Sequence, residues 1–181
     1  MGAKTWMLVY SDGDPRDTLE RRPPLNRDAS ARLARSLFRP SKLIPVDDVD
    51  LSDTQPRDGN IHIGCFDDVA IIACEEIAID YPSQLPERWI RRGPRVVTLH
   101  CMHSVVGWFA FAQWRDGALV RSLSVSNQHG EIENIGEPFA FEAPYWSGEF
   151  PMEVWPDDDG ENLLPFHPRR GGPACVLRLS T

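Results

Sequence analysis

The sequence lacks the features that mark membrane-spanning, secreted and zinc-ribbon proteins. No apolar run approaches the ~20 residues of a membrane helix, and the apolar stretch near the start, residues 6–10, is too short for a secretory signal. The cysteines lie far apart and form no Cys-x-x-Cys pair, which excludes a zinc ribbon or a thioredoxin-type motif. We therefore expect a cytoplasmic protein with buried thiols, at Cys65, Cys74, Cys101 and Cys175.

Positive charge is also in short supply. The chain has 19 Lys and Arg residues against 27 Asp and Glu residues, a formal net charge of -8. Because nucleic-acid binding draws its affinity from cationic side chains that neutralise phosphates, this balance argues against a DNA or RNA partner. The sequence contains neither a G-x-G-x-x-G nor a Walker motif, and no cofactor is expected. The expected partner is a protein or a small molecule, with no membrane involved.

What the sequence does contain is the composition of one globular domain. Hydrophobic residues make up 41% and charged residues 25% of its 181 residues, which is typical of a folded protein and not of a disordered tail. This length lies within the range of single domains. No internal repeat or linker-like segment divides the chain. We therefore predict a single globular domain over residues 1–181.

Alternating apolar and polar residues predict a sheet whose consecutive strands pair antiparallel. The strongest signal is a pair of alternating runs, residues 108–114 and 119–125, on either side of Asp116-Gly117, a dipeptide favoured in two-residue hairpins. A turn after the second run leads to a third strand around residues 132–135. Further strands are predicted at residues 4–10, 43–46, 61–65, 69–74, 96–99 and 174–179.

Two helices are predicted to cover one face of this sheet. One begins near Asn26, a residue that can cap the free amides of a first turn, and ends before Pro40. The other spans residues 83–92, with a proline in its first turn and a glycine after its end. Residues 11–24 are predicted to be loop. The fold class is therefore α+β: a mainly antiparallel sheet, about two helices, and a long ordered loop region, rich in aromatic residues and proline, that begins at Gly136.

A cluster of chemically reactive side chains occurs at residues 100–103, His-Cys-Met-His. Cys101 and His103 share a face if this strand continues, as a thiolate nucleophile and its imidazole base would require. His100 points to the opposite face, and the two histidines supply only half of a zinc site, so they are weak metal candidates and no metal is expected. The alternative is that Cys101 is a core thiol and both histidines are hydrogen-bonded within the fold.

Asp12 and Asp14 form an Asp-x-Asp pair directly after the first strand. Phosphotransfer enzymes of the haloacid dehalogenase type carry a nucleophile and an acid at this place, and paired carboxylates can hold Mg²⁺. That chemistry requires a parallel sheet, whereas this chain predicts an antiparallel one. Asp-Gly-Asp-Pro is also ordinary turn chemistry, so the pair is compatible with either a catalytic site or a turn.

Large aromatic side chains are concentrated in the second half of the chain, beside Glu137, Glu142 and Glu149. Aromatic surfaces with a few polar anchors form ligand pockets and protein interfaces. The alternative is that these aromatic residues build the core of the sheet domain. The candidates for ligand or partner binding are Tyr145, Trp146, Trp155 and Glu142.

Several short motifs between residues 1 and 168 resemble those of a family of short actinobacterial proteins. The resemblance implies membership of a domain of unknown function and supplies no catalytic residues. The segment after Pro168 departs from the helical ending of that family. The motifs are residues 1–6 (Met-Gly-Ala-Lys-Thr-Trp), Tyr10 with residues 12–14, residues 83–88 (Ser-Gln-Leu-Pro-Glu-Arg), 102–106 (Met-His-Ser-Val-Val), 136–138 (Gly-Glu-Pro), 141–146 (Phe-Glu-Ala-Pro-Tyr-Trp) and 164–168 (Leu-Pro-Phe-His-Pro).

Two functions are compatible with these residues. The first is a cytoplasmic accessory module that recognises a protein or a small ligand through the aromatic region, residues 139–155. The second is a metal-assisted or thiol-dependent hydrolase, which would need Asp12, Asp14, Cys101 and His103 in one cleft. The absence of a complete catalytic motif favours the first. The positions of these side chains in the fold distinguish the two hypotheses.

Overall fold

The fold is one antiparallel sheet, as the alternating pattern predicts. A computed structural model describes residues 2–90 and 95–149 together with Leu164. Within these residues seven strands form a single sheet in the order β2-β3-β1-β4-β5-β6-β7, and every neighbouring pair is antiparallel. The strands are β1 (Lys4–Ser11), β2 (His62–Phe66), β3 (Val69–Ala73), β4 (Val96–His103), β5 (Trp108–Arg115), β6 (Ala118–Ser126) and β7 (Gly130–Ile135).

Tight turns explain most of the strand order. The predicted hairpin between β5 and β6 is confirmed: Asp116 and Gly117 have φ values of 48° and 81°, the left-handed conformation that a two-residue hairpin turn requires. The meander continues to β7, and β2 and β3 form a second hairpin. The first strand, β1, fills the gap between β3 and β4, so the start of the chain lies at the centre of the sheet.

The first face of the sheet carries the larger core. Helix α2 (Arg27–Leu37) packs there through Leu33 and Leu37, and the side chain of Asn26 accepts a hydrogen bond from the Ala29 amide, as predicted for its cap. The same helix closes the β2 edge, because the Asn26 amide donates to the Cys65 carbonyl and the Cys65 amide donates to Ser30 Oγ. The buried side chains of this face include Trp6, Leu8, Tyr10, Ile72, Ile77, Trp89, Leu99, Cys101, Trp108 and Trp114.

The second face is covered by the aromatic segment, which we define as residues 139–146. This segment forms a 3₁₀ turn (Ala140–Glu142) and a short helix, α3 (Ala143–Trp146). Phe139 and Phe141 meet Phe111 of β5 edge to face, with ring centroids 6.0 and 5.8 Å apart. The predicted ordered packing of this region across the sheet is therefore present over residues 139–146.

Three local predictions differ from the structure. The predicted loop at residues 11–24 contains helix α1 (Pro15–Glu20), where Asp14 caps the first turn and Pro15 occupies its first position. The predicted helix at residues 83–92 is two 3₁₀ turns over its described part, because Leu85, which precedes a proline, is held in an extended conformation. The predicted strand at residues 43–46 does not form: Ile44 is 74% exposed, with no neighbouring strand to pair with.

The predicted strand at residues 174–179 lies outside the described residues. None of the helices in the described part of the chain has the length and apolar character needed to cross a membrane.

Candidate ligand-binding cleft

A cleft opens at one end of the sheet, where β1 and β5 end and β4 begins. Antiparallel register places Ser11, at the end of β1, opposite Val96, at the start of β4, and places Val96 opposite Arg115, at the end of β5. The cleft has a volume of about 650 Å³. Its walls come from the β1–α1 connection, the strand ends and the aromatic segment.

The floor of the cleft is a chain of polar side chains on the second face. Thr98 and Gln113 are cross-strand partners, and both are buried. Gln113 Nε2 lies 3.5 Å from Thr98 Oγ1, and Gln113 Oε1 accepts a hydrogen bond of 3.0 Å from Arg115 Nε. This bond fixes one edge of the Arg115 guanidinium. Arg115 itself is exposed and forms no ion pair with any described residue, so its two terminal nitrogens face solvent and can reach a ligand.

One wall of the cleft is of mixed charge: the predicted Asp-x-Asp pair lines it together with Arg16. Asp12 Oδ1 accepts a hydrogen bond of 2.9 Å from the Arg95 amide, which ties the β1–α1 connection to β4. Asp14 Oδ1 accepts one of 2.8 Å from the Arg16 amide at the start of α1. Each carboxylate therefore has a structural role through one oxygen. The Oδ2 atoms accept no hydrogen bond from a described residue.

The opposite wall is aromatic. Phe139 and Phe141 line the cleft and are half-buried. Because both rings also pack on Phe111 of the sheet, their positions are set by the core and not by a ligand. A planar or apolar group in the cleft would meet a preformed aromatic surface.

A buried ion pair holds this aromatic wall against the sheet. Arg121 of β6 is 0% exposed and Glu142 is 3% exposed. Arg121 Nε and Nη2 donate to the two oxygens of Glu142, at 2.9 and 2.6 Å, which is the bidentate geometry of a strong pair. Glu142 also accepts a hydrogen bond of 2.9 Å from the Phe139 amide. Glu142, a predicted binding residue, is thus occupied within the protein.

Sequence reasoning missed Arg121, although a signal was present. Strand alternation places Arg121 on the same face as Leu123 and Val125, both of which are buried. A charged residue at an apolar-face position of a strand requires a buried partner. That partner comes from a distant part of the sequence, and nothing in the local pattern identifies it as Glu142.

The four residues of the hydrolase hypothesis are not brought together. Lys4 pairs with His103 and Asp12 follows Ser11, so His103 and Asp12 lie at opposite ends of β1, roughly 26 Å apart at ~3.3 Å per strand residue. Cys101 is fully buried; burial raises the pKa of its thiol, and Sγ lies 3.5 Å from the Ile77 carbonyl. The imidazole of His103 packs edge to face with Trp6 at 6.2 Å, and its pKa is lowered by burial and by Lys4.

The remaining predicted residues also lie away from the cleft. His100 and His103 project from opposite faces of β4, where they contact Phe109 and Trp6 respectively. Within residues 2–90 and 95–149, no group of three or more His, Cys, Asp or Glu side chains is arranged to hold a metal ion. Tyr145 and Trp146 are half-buried against the second-face core. Trp155 lies outside the described residues.

His100 is buried among apolar side chains and is expected to make the fold sensitive to acid. Its cross-strand neighbours are Met7 and Phe111, neither ring nitrogen has a partner among the described residues, and burial lowers its pKa to about 4. In the unfolded chain His100 has its ordinary pKa of 6.5 and binds a proton below that pH. In the native state the imidazole stays neutral until the pH approaches 4. Stability contributed by His100 is therefore present above pH 6.5 and is lost as the pH falls towards 4.

The test compares the wild type with His100→Leu, a side chain of similar size that does not titrate. We expect the free energy of unfolding of the wild type to fall about 2 kcal/mol more than that of the variant between pH 7 and pH 4.5. Urea unfolding followed by tryptophan fluorescence at both pH values measures this difference. Equal losses in the two proteins would contradict the assignment of the acid sensitivity to His100.

Comparison with known families identifies the lineage of this chain. A family model described as a family of unknown function (DUF6928) matches residues 5–174. The chain belongs to this family. No match was found among curated proteins or among solved structures. The match confirms membership of a family of unknown function, as the sequence motifs imply, and every residue that lines the cleft, from Ser11 to Phe141, falls inside the matched residues.

Proposed function

We propose that this protein is a cytoplasmic binding module that takes a small ligand into the cleft at the end of the sheet. The cleft combines the properties of small-molecule sites: a concave shape, an aromatic wall and a few convergent polar groups. Among the described residues, Cys74 and Cys101 are free thiols, which supports a reducing compartment.

The observation that carries this proposal is the state of Arg115. Its exposed guanidinium is oriented by Gln113 on the cleft floor and forms no ion pair with a described residue, although Asp116 also lines the cleft. An oriented cation without a partner ion, beside two preformed aromatic rings, supports recognition of a ligand that brings both an acceptor group and an apolar surface.

Binding is better supported than catalysis. The described residues that line the cleft include no cysteine and no histidine. The two carboxylates of the β1–α1 connection, Asp12 and Asp14, each hold a backbone amide in place. Nucleophilic catalysis needs a nucleophile and a base within hydrogen-bond reach, and Cys101 and Asp12 come from distant parts of the sheet.

The experiment that tests the proposal fills the cleft. Ala140 is exposed and lines the cleft, so Ala140→Trp is expected to occupy the space beside Phe139 while changing stability by less than about 0.5 kcal/mol. A fragment library is screened by ¹H–¹⁵N NMR, and we expect hits to shift the amide signals of Thr98, Gln113 and Phe141 in the wild type. Ala140→Trp is expected to weaken these hits at least tenfold.

The matched control places the same side chain at the other end of the sheet. Val106 is exposed in the turn between β4 and β5, so Val106→Trp adds a tryptophan without entering the cleft. We expect this control to bind the fragments as the wild type does. Hits that survive Ala140→Trp, or a screen whose hits leave the cleft signals unmoved, would refute a ligand site at this place.

A further inference from the structure

We propose that the ligand of this cleft is an uncharged planar ring compound that carries a carbonyl or ring-nitrogen acceptor on its edge, such as a heteroaromatic lactam. This inference rests on the proposed function and adds the chemical class of the ligand. It follows from a difference between the rim of the cleft, where charges of the two signs balance, and its floor, where buried polar side chains lack hydrogen-bond partners.

The charged side chains that line the cleft balance one another. All but Asp14 are exposed, and the two signs are equally represented: Asp12, Asp14 and Asp116 against Arg16, Arg95 and Arg115. Because water already solvates an exposed charge, a charged ligand gains little from pairing with any one of them. A balanced set also has no net attraction for an anion or for a cation. We therefore expect selectivity to come from the buried floor.

Gln113, which is 3% exposed, presents its amide nitrogen to this floor. Arg115 Nε can only donate a hydrogen bond, so the Gln113 atom that it contacts at 3.0 Å is the oxygen, Oε1. The nitrogen, Nε2, therefore points towards Thr98, whose Oγ1 lies 3.5 Å away. This separation is longer than the ~2.7–3.2 Å of a good hydrogen bond, so the amide group remains a buried donor that is weakly bonded.

Two buried hydroxyl groups on the same face also have hydrogen atoms to donate. Thr98 is 5% exposed and Ser11 is 2% exposed, and both line the cleft. The Thr98 hydroxyl has no acceptor for its own hydrogen among the described residues, and Ser11 Oγ has no hydrogen-bond partner among them. Because a buried polar group without a partner costs free energy, the floor favours a ligand that supplies acceptors.

Strand register brings these three polar groups together. Ser11 lies opposite Val96 on β4. Thr98 is two residues further along β4, so it projects from the same face, and it lies opposite Gln113 of β5. The floor is therefore a short row of uncharged donors that crosses three adjacent strands, and the edge of one planar molecule can contact it.

The aromatic wall favours a ring as the remainder of the ligand. Phe139 and Phe141 lie on the same side of the sheet as the floor, because both pack on Phe111 of the second face. A planar ring can contact these side chains while its edge reaches the floor. Burying a carboxylate or an ammonium group beside apolar rings would cost more than burying an uncharged ring. The volume of about 650 Å³ leaves room for a bicyclic ring system.

The test compares three ligands built on the same bicyclic frame: isoquinolone, which is uncharged, isoquinolinecarboxylate and N-methylisoquinolinium. Each is titrated into the full-length protein at pH 7 and followed through the amide signals of Thr98, Gln113 and Phe141. We expect isoquinolone to bind at least tenfold more tightly than either ion.

Two variants test the contribution of the floor. Thr98→Val and Ser11→Ala each remove one hydroxyl group without adding volume, and each is expected to weaken the binding of isoquinolone about fivefold, the effect of one hydrogen bond. Ser124→Ala is the matched control, because it removes a buried hydroxyl of β6 that does not line the cleft. We expect this control to bind isoquinolone as the wild type does.

The outcomes separate this inference from the proposed function. The assignment is overturned if either ion binds as tightly as isoquinolone, if neither floor variant weakens the binding of isoquinolone, or if isoquinolone does not shift the cleft signals. The proposed function would still stand if fragments that are sensitive to Ala140→Trp bind in the same cleft. It would fall together with this assignment if no compound shifts the cleft signals.

Discussion

Replacing Arg121 with methionine is expected to lower the free energy of unfolding by about 3–5 kcal/mol, the largest effect of any substitution considered for this protein. The change removes the guanidinium and leaves an unbranched apolar side chain that ends two atoms earlier. It leaves the Glu142 carboxylate buried without its charge partner, and it also removes the donor to Asn134 Oδ1 and to the carbonyls of Ile135 and Gly136, at 2.5, 3.1 and 3.1 Å. Urea unfolding at pH 7 measures the loss.

The matched controls separate burial from charge. Arg88→Met breaks an ion pair with Glu76 that is about half exposed, so it is expected to cost less than about 1 kcal/mol. The double variant Arg121→Met/Glu142→Leu leaves no unpaired charge and is expected to recover much of the loss. A loss below about 1 kcal/mol for Arg121→Met would mean that the pair does not hold the aromatic segment.

The same variant links the stability of the fold to the cleft. Glu142 receives hydrogen bonds from both Arg121 and the Phe139 amide, so the pair fixes the turn that presents Phe139 and Phe141 to the cleft. We therefore expect Arg121→Met to broaden or shift the NMR signals of residues 139–146 under conditions in which the sheet is still folded. The core of the first face should remain unaffected, because it lies on the other side of the sheet.

Gly136→Ala is expected to destabilise the protein by about 3 kcal/mol, from overpacking and from a conformation that is costly for alanine. Gly136 joins β7 to the aromatic segment with φ +83°, and a Cβ at this position would lie 2.1 Å from the Val120 carbonyl oxygen. Because that oxygen belongs to the backbone of β6, it cannot move aside as a flexible side chain would. Thermal and urea unfolding of the variant measure the loss.

Gly117→Ala is the control for this substitution. Gly117 has nearly the same φ, +81°, but a Cβ there would have no atom within 4 Å. We expect this variant to lose only about 1–2 kcal/mol, the cost of the left-handed conformation alone. If Gly136→Ala is no more destabilising than Gly117→Ala, the close approach between the β7 exit and β6 does not contribute to stability.

Much of the fold could be predicted because it follows local rules. The β5–β6 hairpin depends on an Asp-Gly turn between alternating strands, and the start of α2 depends on the cap at Asn26; both are properties of a few neighbouring residues. Helix α1 carried an equally local signal, Asp14 followed by Pro15, but the same residues also fit a turn. The strand predicted at residues 43–46 failed because a strand needs a neighbour in space, which its own sequence cannot specify.

The cleft could not be predicted from the sequence, because its residues come from segments that are distant along the chain. The sequence leaves Asp12 and Asp14 open as a catalytic pair or a turn, whereas the fold ties both to backbone amides and places them in the cleft that Arg115 also lines. Cys101 and His103 were singled out by their chemistry, but strand register sends His103 to the far end of the sheet from Asp12. No local pattern distinguishes Arg115 in the sequence, because a single arginine beside a turn is typical of a solvent-exposed charge.

The sequence by itself determined that this protein is a mainly antiparallel α+β domain, because alternation, turns and caps act between residues that are close along the chain. It also determined the family, since family motifs are a property of the sequence alone. Only the tertiary structure decided which charged groups meet. Arg121 and Glu142 are 21 residues apart, and Asp12 and the Arg95 amide are 83 apart. Such contacts depend on sheet order and register, which form only when distant segments of the chain pair.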